Sequence, residues 1–173
     1  MQTLSRLLLS LSPFLLASCS QIPFMQQTSA HATLEAKSDS QVTGDVDLIQ
    51  QGTKVLLIAR VAGLTPNSIH GFHIHEKGDC SAADASSAGG HFNPDAHPHA
   101  SQATPSHHFG DLPNLKADNT GHAIYRATLE NASLAEGAHA LIGHAMILHR
   151  DADDYVTQPA GNAGPRIACG VIK

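Results

Sequence analysis

The 173-residue chain has no tryptophan, few other aromatic residues and no run of lysines and arginines. Scarce aromatic residues, together with frequent glycine and proline, favour a β protein with many loops over a helical bundle. The formal net charge is −5 and no cluster of basic residues is present, so the sequence does not predict binding to nucleic acid or to an anionic membrane surface. Because the length suffices for one core plus an appendage, we expect a single all-β domain.

The apolar run near the beginning of the chain is too short for a permanent membrane span. It covers residues 7–17, follows Arg6 and leads into Leu16-Ala17-Ser18-Cys19. This ending resembles the lipobox of bacterial lipoproteins, in which the cysteine thiol is acylated and the cysteine becomes the mature N-terminus. The alternative is an ordinary export signal that is cut near Cys19 or further on. Both interpretations place the domain outside the cytoplasm.

These features predict a lipoprotein signal peptide over residues 1–18, a lipid-anchored tether over 19–30 and one domain over 31–173. Residues 21–30 lack periodicity, as in a tether, so we expect no core residue there. Ser20 after Cys19 resembles the signal of outer-membrane lipoproteins. The anchor is therefore predicted to lie in the outer membrane and to face the periplasm, although the sequence does not decide between inner and outer membrane.

Only three cysteines are present. With Cys19 used by the lipid, Cys80 and Cys169 remain as an even pair in an oxidising compartment, which favours a disulfide. Closing a loop of this length removes roughly 4 to 5 kcal/mol of unfolded-chain entropy. Two buried free thiols are the alternative.

Apolar residues of the remaining chain fall in short stretches with β character. They predict seven or eight strands in a sandwich or closed barrel, including residues 42–48, 53–61, 69–75, 122–129, 140–149 and 166–172. Two long intervals, residues 76–115 and 150–165, are rich in turn-forming residues and lack periodicity. Loops this long in a compact domain are usually functional.

The thirteen histidines outnumber lysine and arginine together. His73 and His75 lie two apart, so in a strand both imidazoles point to the same face. The other metal-capable residues follow in or beside the two long intervals: His91, His99, His108, Asp111 and His149. Nitrogen-rich ligand sets suit copper and zinc. Two ions with eight ligand positions can share these seven residues if one imidazolate bridges them.

Two segments resemble the signatures of copper-zinc superoxide dismutases: Gly71-Phe72-His73-Ile74-His75-Glu76-Lys77-Gly78-Asp79-Cys80 and Gly161-Asn162-Ala163-Gly164-Pro165-Arg166-Ile167-Ala168-Cys169-Gly170-Val171-Ile172. Between them, residues 91–94 and 108–114 are similar to the metal loop of that family in order and spacing. The likeness covers roughly residues 31–173. It implies an eight-stranded Greek-key flattened barrel, or immunoglobulin-like sandwich, with two long functional loops.

The resemblance also implies the ligands of one copper and one zinc ion per chain. Copper would be held by His73, His75, His91 and His149, and zinc by His91, His99, His108 and Asp111. Asp153 would hydrogen-bond His73 and His99 and so hold both rings. A disulfide would join Cys80 to Cys169, and Arg166 would stand beside the copper.

The implied activity is the disproportionation of superoxide to oxygen and hydrogen peroxide by Cu(II)/Cu(I) cycling beside a structural zinc, which would protect the cell envelope. His91 would act as ligand and as proton donor, and Arg166 would guide the anion. Lys77 is either a second steering charge or a solvated loop residue. Superoxide is the expected partner, nucleic acid is not expected, and monomer and homodimer both stay open.

Some alternatives remain at this stage. His97 and His107 each lie next to a predicted zinc ligand and are possible replacements for it. His144 stands where members of the family often carry arginine or lysine, and its role is open. A metal-buffering or chaperone protein would need the same histidines but no Arg166. A structural sandwich domain with incidental histidines predicts scattered placement instead.

Overall fold

The computed structural model describes residues 27–173, so the predicted signal peptide, Cys19 and most of the predicted tether lie outside the described residues. The described part of the chain is all-β, with one short 3₁₀ helix at Ser86–Ala88. Nine strands make it up: β1 Ser29–Ala36, β2 Thr43–Gln51, β3 Lys54–Ala62, β4 Ile69–His70, β5 Phe72–His75, β6 Leu115–Lys116, β7 Ala123–Glu130, β8 Ala145–His149 and β9 Arg166–Val171. Over residues 27–173, no helix has the length and apolar character needed to cross a membrane.

Seven strands form one curled antiparallel sheet in the order β5-β8-β9-β1-β2-β3-β7, and β4 pairs only with β6. Strand β1 joins the two halves, because residues 29–34 pair with β2 while residues 35–36 pair with β9. The sheet therefore curls as a half-barrel. The all-β prediction is confirmed, with two long loops as expected.

The core lies between the two halves of the curled sheet. Strand β7 alternates buried and exposed residues, as a sheet with one solvated face should. Leu48 and Leu57 from one half belong to the same buried cluster as Ile74 and Leu148 from the other. The rings of Phe72 and Tyr125 meet edge to face across the core, with centroids 5.4 Å apart. This packing holds β5 and β8, the two strands that carry metal-capable histidines.

Beyond shifts of one to three residues at strand ends, the structure corrects three expectations. The predicted strand 69–75 is interrupted at Gly71, whose amide donates to the Asp151 carbonyl, so β4 and β5 have different partners. The predicted strand 140–149 begins only at Ala145, because a turn with Gly143 at positive φ precedes it. Strand β1 begins at Ser29 and Ala30 is 7% exposed, so the expectation of no core residue before residue 31 is wrong for Ala30.

The predicted disulfide is confirmed. Cys80 and Cys169 are bonded with their Cα atoms 5.8 Å apart, so the alternative of two free thiols is wrong. The bond ties residues 76–114, which we call the first loop, to strand β9. Residues 150–165 form the second loop.

The two loops are joined to each other through Asn114. Its side-chain amide donates to the Asp153 carbonyl at 2.9 Å and accepts from the Asp153 amide at 2.9 Å. Its own main-chain N–H donates to the Tyr155 hydroxyl at 2.7 Å. The loops are therefore one connected layer beside β5, β8 and β9.

Candidate metal centre

Four buried histidines meet at one side of the sheet. His73 and His75 lie on β5, His149 ends the neighbouring strand β8, and His91 of the first loop forms an isolated bridge with His75. Each offers one ring nitrogen, and these four nitrogens all lie within 4.8 Å of one another. The strand period predicted that His73 and His75 share a face, and the sheet and loop bring the other two to them.

In three of these rings, the outer nitrogen, which points away from the other histidines, makes a hydrogen bond, and the inner nitrogen points towards them. His75 Nδ1 donates to the Gly89 carbonyl at 3.0 Å, and His149 Nδ1 donates to the Gly164 carbonyl at 3.0 Å. His73 instead donates from Nε2 to Asp153 at 2.8 Å. These bonds assign the tautomers and leave the inner nitrogen of each ring as a lone-pair donor.

The inner nitrogens fit a copper ion. Nδ1 of His73 and Nε2 of His75, His91 and His149 are buried and have no hydrogen-bond partner within residues 27–173. A buried polar atom without a partner is costly and rare, and four that face one another are best explained by a cation. A set of four imidazole nitrogens suits copper and excludes calcium or magnesium, which prefer oxygen ligands.

Burial also keeps three of the four rings neutral. Desolvation lowers the pKa of His73 to about 4 and the pKa of His149 to about 3, and it holds the pKa of His75 well below its usual value. At pH 7 the three imidazoles are therefore unprotonated. Their lone pairs are available to a metal without the loss of a proton.

A second group surrounds Asp111. Its Oδ1 lies 2.7 Å from His91 Nδ1, 3.0 Å from His99 Nδ1 and 3.3 Å from His108 Nδ1. The other oxygen, Oδ2, accepts the amides of Ala100 at 3.1 Å and His108 at 2.9 Å, which holds the carboxylate in place. Three imidazoles and one carboxylate, all buried, are the ligand chemistry of zinc.

His91 belongs to both groups. Its Nδ1 faces Asp111, and its Nε2 faces the histidines of the first group. Asp153 links the two groups from behind, because its two oxygens accept from His73 at 2.8 Å and from His99 at 3.0 Å. One ring and one carboxylate thus couple the two groups of residues.

The two carboxylates are ionised in this arrangement. Burial opposes ionisation, but hydrogen bonds from His91 and His99 hold the pKa of Asp111 well below its usual range, and bonds from His73 and His99 do the same for the pKa of Asp153. Burial also opposes protonation of His99, yet its bonds to Asp111 and Asp153 raise its pKa to about 9. Two ionised carboxylates outweigh one protonated imidazole, so the group around Asp111, together with Asp153, carries a net negative charge that favours a cation.

The family model described as copper/zinc superoxide dismutase (SODC) matches residues 42–172, which include all seven members of the two groups. The chain belongs to the copper/zinc superoxide dismutase family. Superoxide dismutation is accordingly its activity, and its cofactors are copper and zinc.

Individual relatives agree with this family. The superoxide dismutase [Cu-Zn] 2 of Aquifex aeolicus is 38% identical, over 87% of this chain and 90% of the relative. An extracellular superoxide dismutase [Cu-Zn] of Haemonchus contortus is 40% identical, over 77% of this chain and 74% of the relative. The crystal structure of the clock protein EA4 has a TM-score of 0.76 at 37% identity and covers 86% of this chain and 96% of that chain.

Arg166 of this superoxide dismutase lies opposite His149 in the β8–β9 pairing, after a β-bulge. Its guanidinium donates to the carbonyls of Ala85 at 2.7 Å and Gly89 at 2.6 Å. The Gly89 carbonyl also accepts from His75, so the arginine and a candidate copper ligand share one acceptor. Desolvation lowers the pKa of Arg166, which nevertheless stays charged at neutral pH.

The histidines whose roles the sequence left open lie outside both groups. His97 Nδ1 donates to the His107 carbonyl at 3.2 Å, and His107 Nδ1 donates to the His108 carbonyl at 2.6 Å. Within the described residues, the group around Asp111 contains His99 and His108 instead.

His144 and Lys77 occupy different surroundings. His144 donates from Nδ1 to the His75 carbonyl at 3.2 Å, and its ring lies over Phe92 with centroids 3.9 Å apart. His144 therefore helps to hold the main chain of His75, one of the candidate copper ligands. The Lys77 side chain is 65% exposed, with Nζ 3.9 Å from Glu76, as expected for a solvated residue near the site.

Sequence reasoning missed the residues that support the ligands from the loops. Asn114 holds the main chain of Asp153, and Gln158 contacts the main chain of His99. Gly161 has φ +69°, and a Cβ atom there would collide with Asp153 Oδ1 and approach His99 Nε2 to 2.7 Å. The signal available in the sequence was only turn composition, which does not reveal which atoms such residues approach.

Proposed function

We propose that this superoxide dismutase holds copper through His73, His75, His91 and His149 and zinc through His91, His99, His108 and Asp111. The observation that carries the assignment is the membership of His91 in both groups through different ring nitrogens. The partnerless buried nitrogens support the copper side, and the three-nitrogen, one-oxygen set supports the zinc side.

When bound, copper supplies one-electron chemistry that alternates between Cu(II) and Cu(I). Two superoxide ions and two protons give one molecule of oxygen and one of hydrogen peroxide. The protein must therefore admit a small anion, place it, and provide protons. The following residues do this work in our proposal.

His91 acts as a proton carrier at Nε2. This atom faces the copper group, while Nδ1 stays on the Asp111 side and keeps the ring oriented. Nε2 would carry a proton only in the half of the cycle in which it does not hold copper, and that proton is then already at the place where peroxide forms. Such placement would supply one of the two protons locally, and the other would come from solvent.

Arg166 positions the anion. Its guanidinium is held by two carbonyls and stands beside His75 and His149, and it is a charge that cannot be neutralised at physiological pH. A local positive potential raises the encounter rate of an anion even though the protein as a whole carries −5.

The activity is tested by superoxide turnover of the exported protein loaded with copper and zinc. We expect kcat/KM near the diffusional ceiling of about 10⁸ to 10⁹ M⁻¹s⁻¹, which superoxide dismutases are among the enzymes known to reach. A metal-carrier protein would bind both ions and show no turnover above that of free copper. That result would overturn the proposed roles.

Replacing Arg166 by alanine is expected to lower kcat/KM about 10-fold and to weaken its dependence on ionic strength, because a local guiding charge is lost. Arg150→Ala is the matched control. It removes the same formal charge from the second loop, where Arg150 is exposed and paired with Asp151 at 3.1 Å. Equal losses in both variants would show that net charge, and not the place of Arg166, matters.

We also propose that the protein is anchored in the cell envelope by a lipid on Cys19 and protects the periplasm from superoxide. The lipobox-like segment Leu16-Ala17-Ser18-Cys19 supports the anchor, and the disulfide fits an oxidising compartment. The extracellular relative from Haemonchus contortus is in keeping with export.

Cys19→Ser is expected to move the protein from the membrane fraction to the soluble periplasmic fraction and to abolish incorporation of labelled palmitate. Superoxide turnover of the variant should stay normal, since the site lies in the described domain. A variant that remains in the membrane fraction without label would contradict the lipid anchor.

A further inference from the structure

Gln158 of the second loop makes two hydrogen bonds with the main chain of one residue. Its side-chain oxygen accepts the His99 amide at 2.9 Å, and its side-chain nitrogen donates to the His99 carbonyl at 2.7 Å. The side chain thus pairs with His99 as a neighbouring strand would. The second loop therefore holds His99 at its main chain through Gln158 and at its ring through Asp153.

His99 depends on such contacts because no strand carries it. It lies in the first loop, far from the nearest strand along the chain, whereas His73, His75 and His149 are held by the ladders of β5 and β8. Its side chain is nevertheless buried, and Nδ1 must stay on the Asp111 side. Asp111 holds the next residue, Ala100, from within the first loop, and Gln158 holds both main-chain groups of His99 from the second loop.

We propose that Gln158 is a positioning residue for zinc: it sets the main chain of His99 and thereby the direction of His99 Nδ1. This inference rests on the proposed assignment of His99 to zinc. Gln158 does not touch the ligand atoms, so its effect passes through His99. Through Gln158 the second loop acts on zinc retention at the main chain of His99, whereas the main chains of His73, His75 and His149 are held by the pairing of β5 with β8 and of β8 with β9.

The test is Gln158→Met in the full exported protein loaded with copper and zinc. Methionine keeps the length and approximate volume of the side chain and removes both hydrogen bonds. Gln158 is an exposed loop residue, so the variant should fold. We expect zinc transfer to a chromogenic chelator to be about 10-fold faster, as is usual when the partner of a metal ligand is lost, with copper content unchanged.

Thr157→Val is the matched control. It removes a side-chain bond of the same loop, from the Thr157 hydroxyl to Asp154 at 2.6 Å, without touching His99. If general loosening of the loop were responsible, both variants would release zinc faster. Cobalt(II) at the zinc position provides a second readout, because its visible spectrum should change in Gln158→Met and not in Thr157→Val.

His99→Ala distinguishes a failure of the zinc assignment of His99 from a failure of the proposed role of Gln158. If His99→Ala retains zinc as the wild type does, the zinc assignment itself is wrong. If His99→Ala loses zinc while Gln158→Met has the wild-type release rate and cobalt spectrum, the assignment stands and the role of Gln158 is overturned.

Discussion

Replacement of His149 by alanine is expected to remove copper and nearly all superoxide turnover while zinc is retained. His149 contributes one of four converging nitrogens, and it belongs to the copper group only. The loss should exceed the roughly 10- to 100-fold effect typical of a residue that merely supports a ligand. Metal analysis and turnover on the same sample measure both parts of the expectation.

The physical reason lies in how His149 is held. Its ring is buried at the end of β8, Nδ1 is bound to the Gly164 carbonyl, and burial keeps it neutral. Alanine leaves three imidazoles around an open position and the Gly164 carbonyl without its donor. The other rings near the site are already engaged: His70 and His144 bond main-chain carbonyls, and His139 bonds the Asp95 carboxylate.

His139→Ala is the control for loss of a histidine as such. His139 pairs with Asp95 at 2.9 Å and stacks on Phe109, outside both groups. It should keep copper, zinc and turnover. A His149→Ala variant that retains one copper per chain and normal turnover would rule out the proposed copper ligand set.

Cys169→Ser is expected to lower the free energy of unfolding by about 4 to 5 kcal/mol, because the disulfide closes a loop of 89 residues in the unfolded chain. Since single domains are stable by only about 5 to 15 kcal/mol, the variant should be marginal. Because the chain lacks tryptophan, denaturant unfolding should be followed by circular dichroism instead of fluorescence.

The same substitution should also lower kcat/KM in the fraction that folds. The disulfide holds the beginning of the first loop, and the carbonyls of Ala85 and Gly89 in that loop orient Arg166. Loss of the bond should therefore bring turnover towards that of Arg166→Ala. Cys80→Ser is the matched variant and should behave alike. A change in stability below about 1 kcal/mol in both would contradict the loop-closure argument.

The fold class could be predicted because alternation along the strands is a local property. The pattern around Val46 and Leu48 and the run from Val55 to Val61 predicted strands that the structure contains. The break at Gly71 could not be predicted, since it arises where the Gly71 amide bonds Asp151, about eighty residues away. The domain was predicted to begin at residue 31, whereas β1 begins at Ser29. Ser29 and Ala30 belong to the sheet because they pair with β2, and this pairing cannot be deduced from their neighbours along the chain.

The candidate ligands could be predicted through residue type and order, together with the family signatures. The structure brings all seven together in two groups, and their binding of metal remains the prediction that His149→Ala and His99→Ala address. The supporting residues could not be predicted in the same way. Asn114, Gln158 and Gly161 act by main-chain contacts and close approach across two loops, and residue type alone does not specify such partners.

Composition, spacing and strand alternation in the sequence by itself determined the all-β class, the disulfide pair and the seven metal-capable residues. The resemblance of two motifs to the family signatures added the expected grouping of these residues and an arginine beside them. Only the tertiary structure decided which nitrogen of each ring faces inward, that Arg166 lies opposite His149, and that the second loop holds His99. These features depend on hydrogen bonds between segments that are distant along the chain. Such bonds form only once the sheet has curled and both loops have packed beside it.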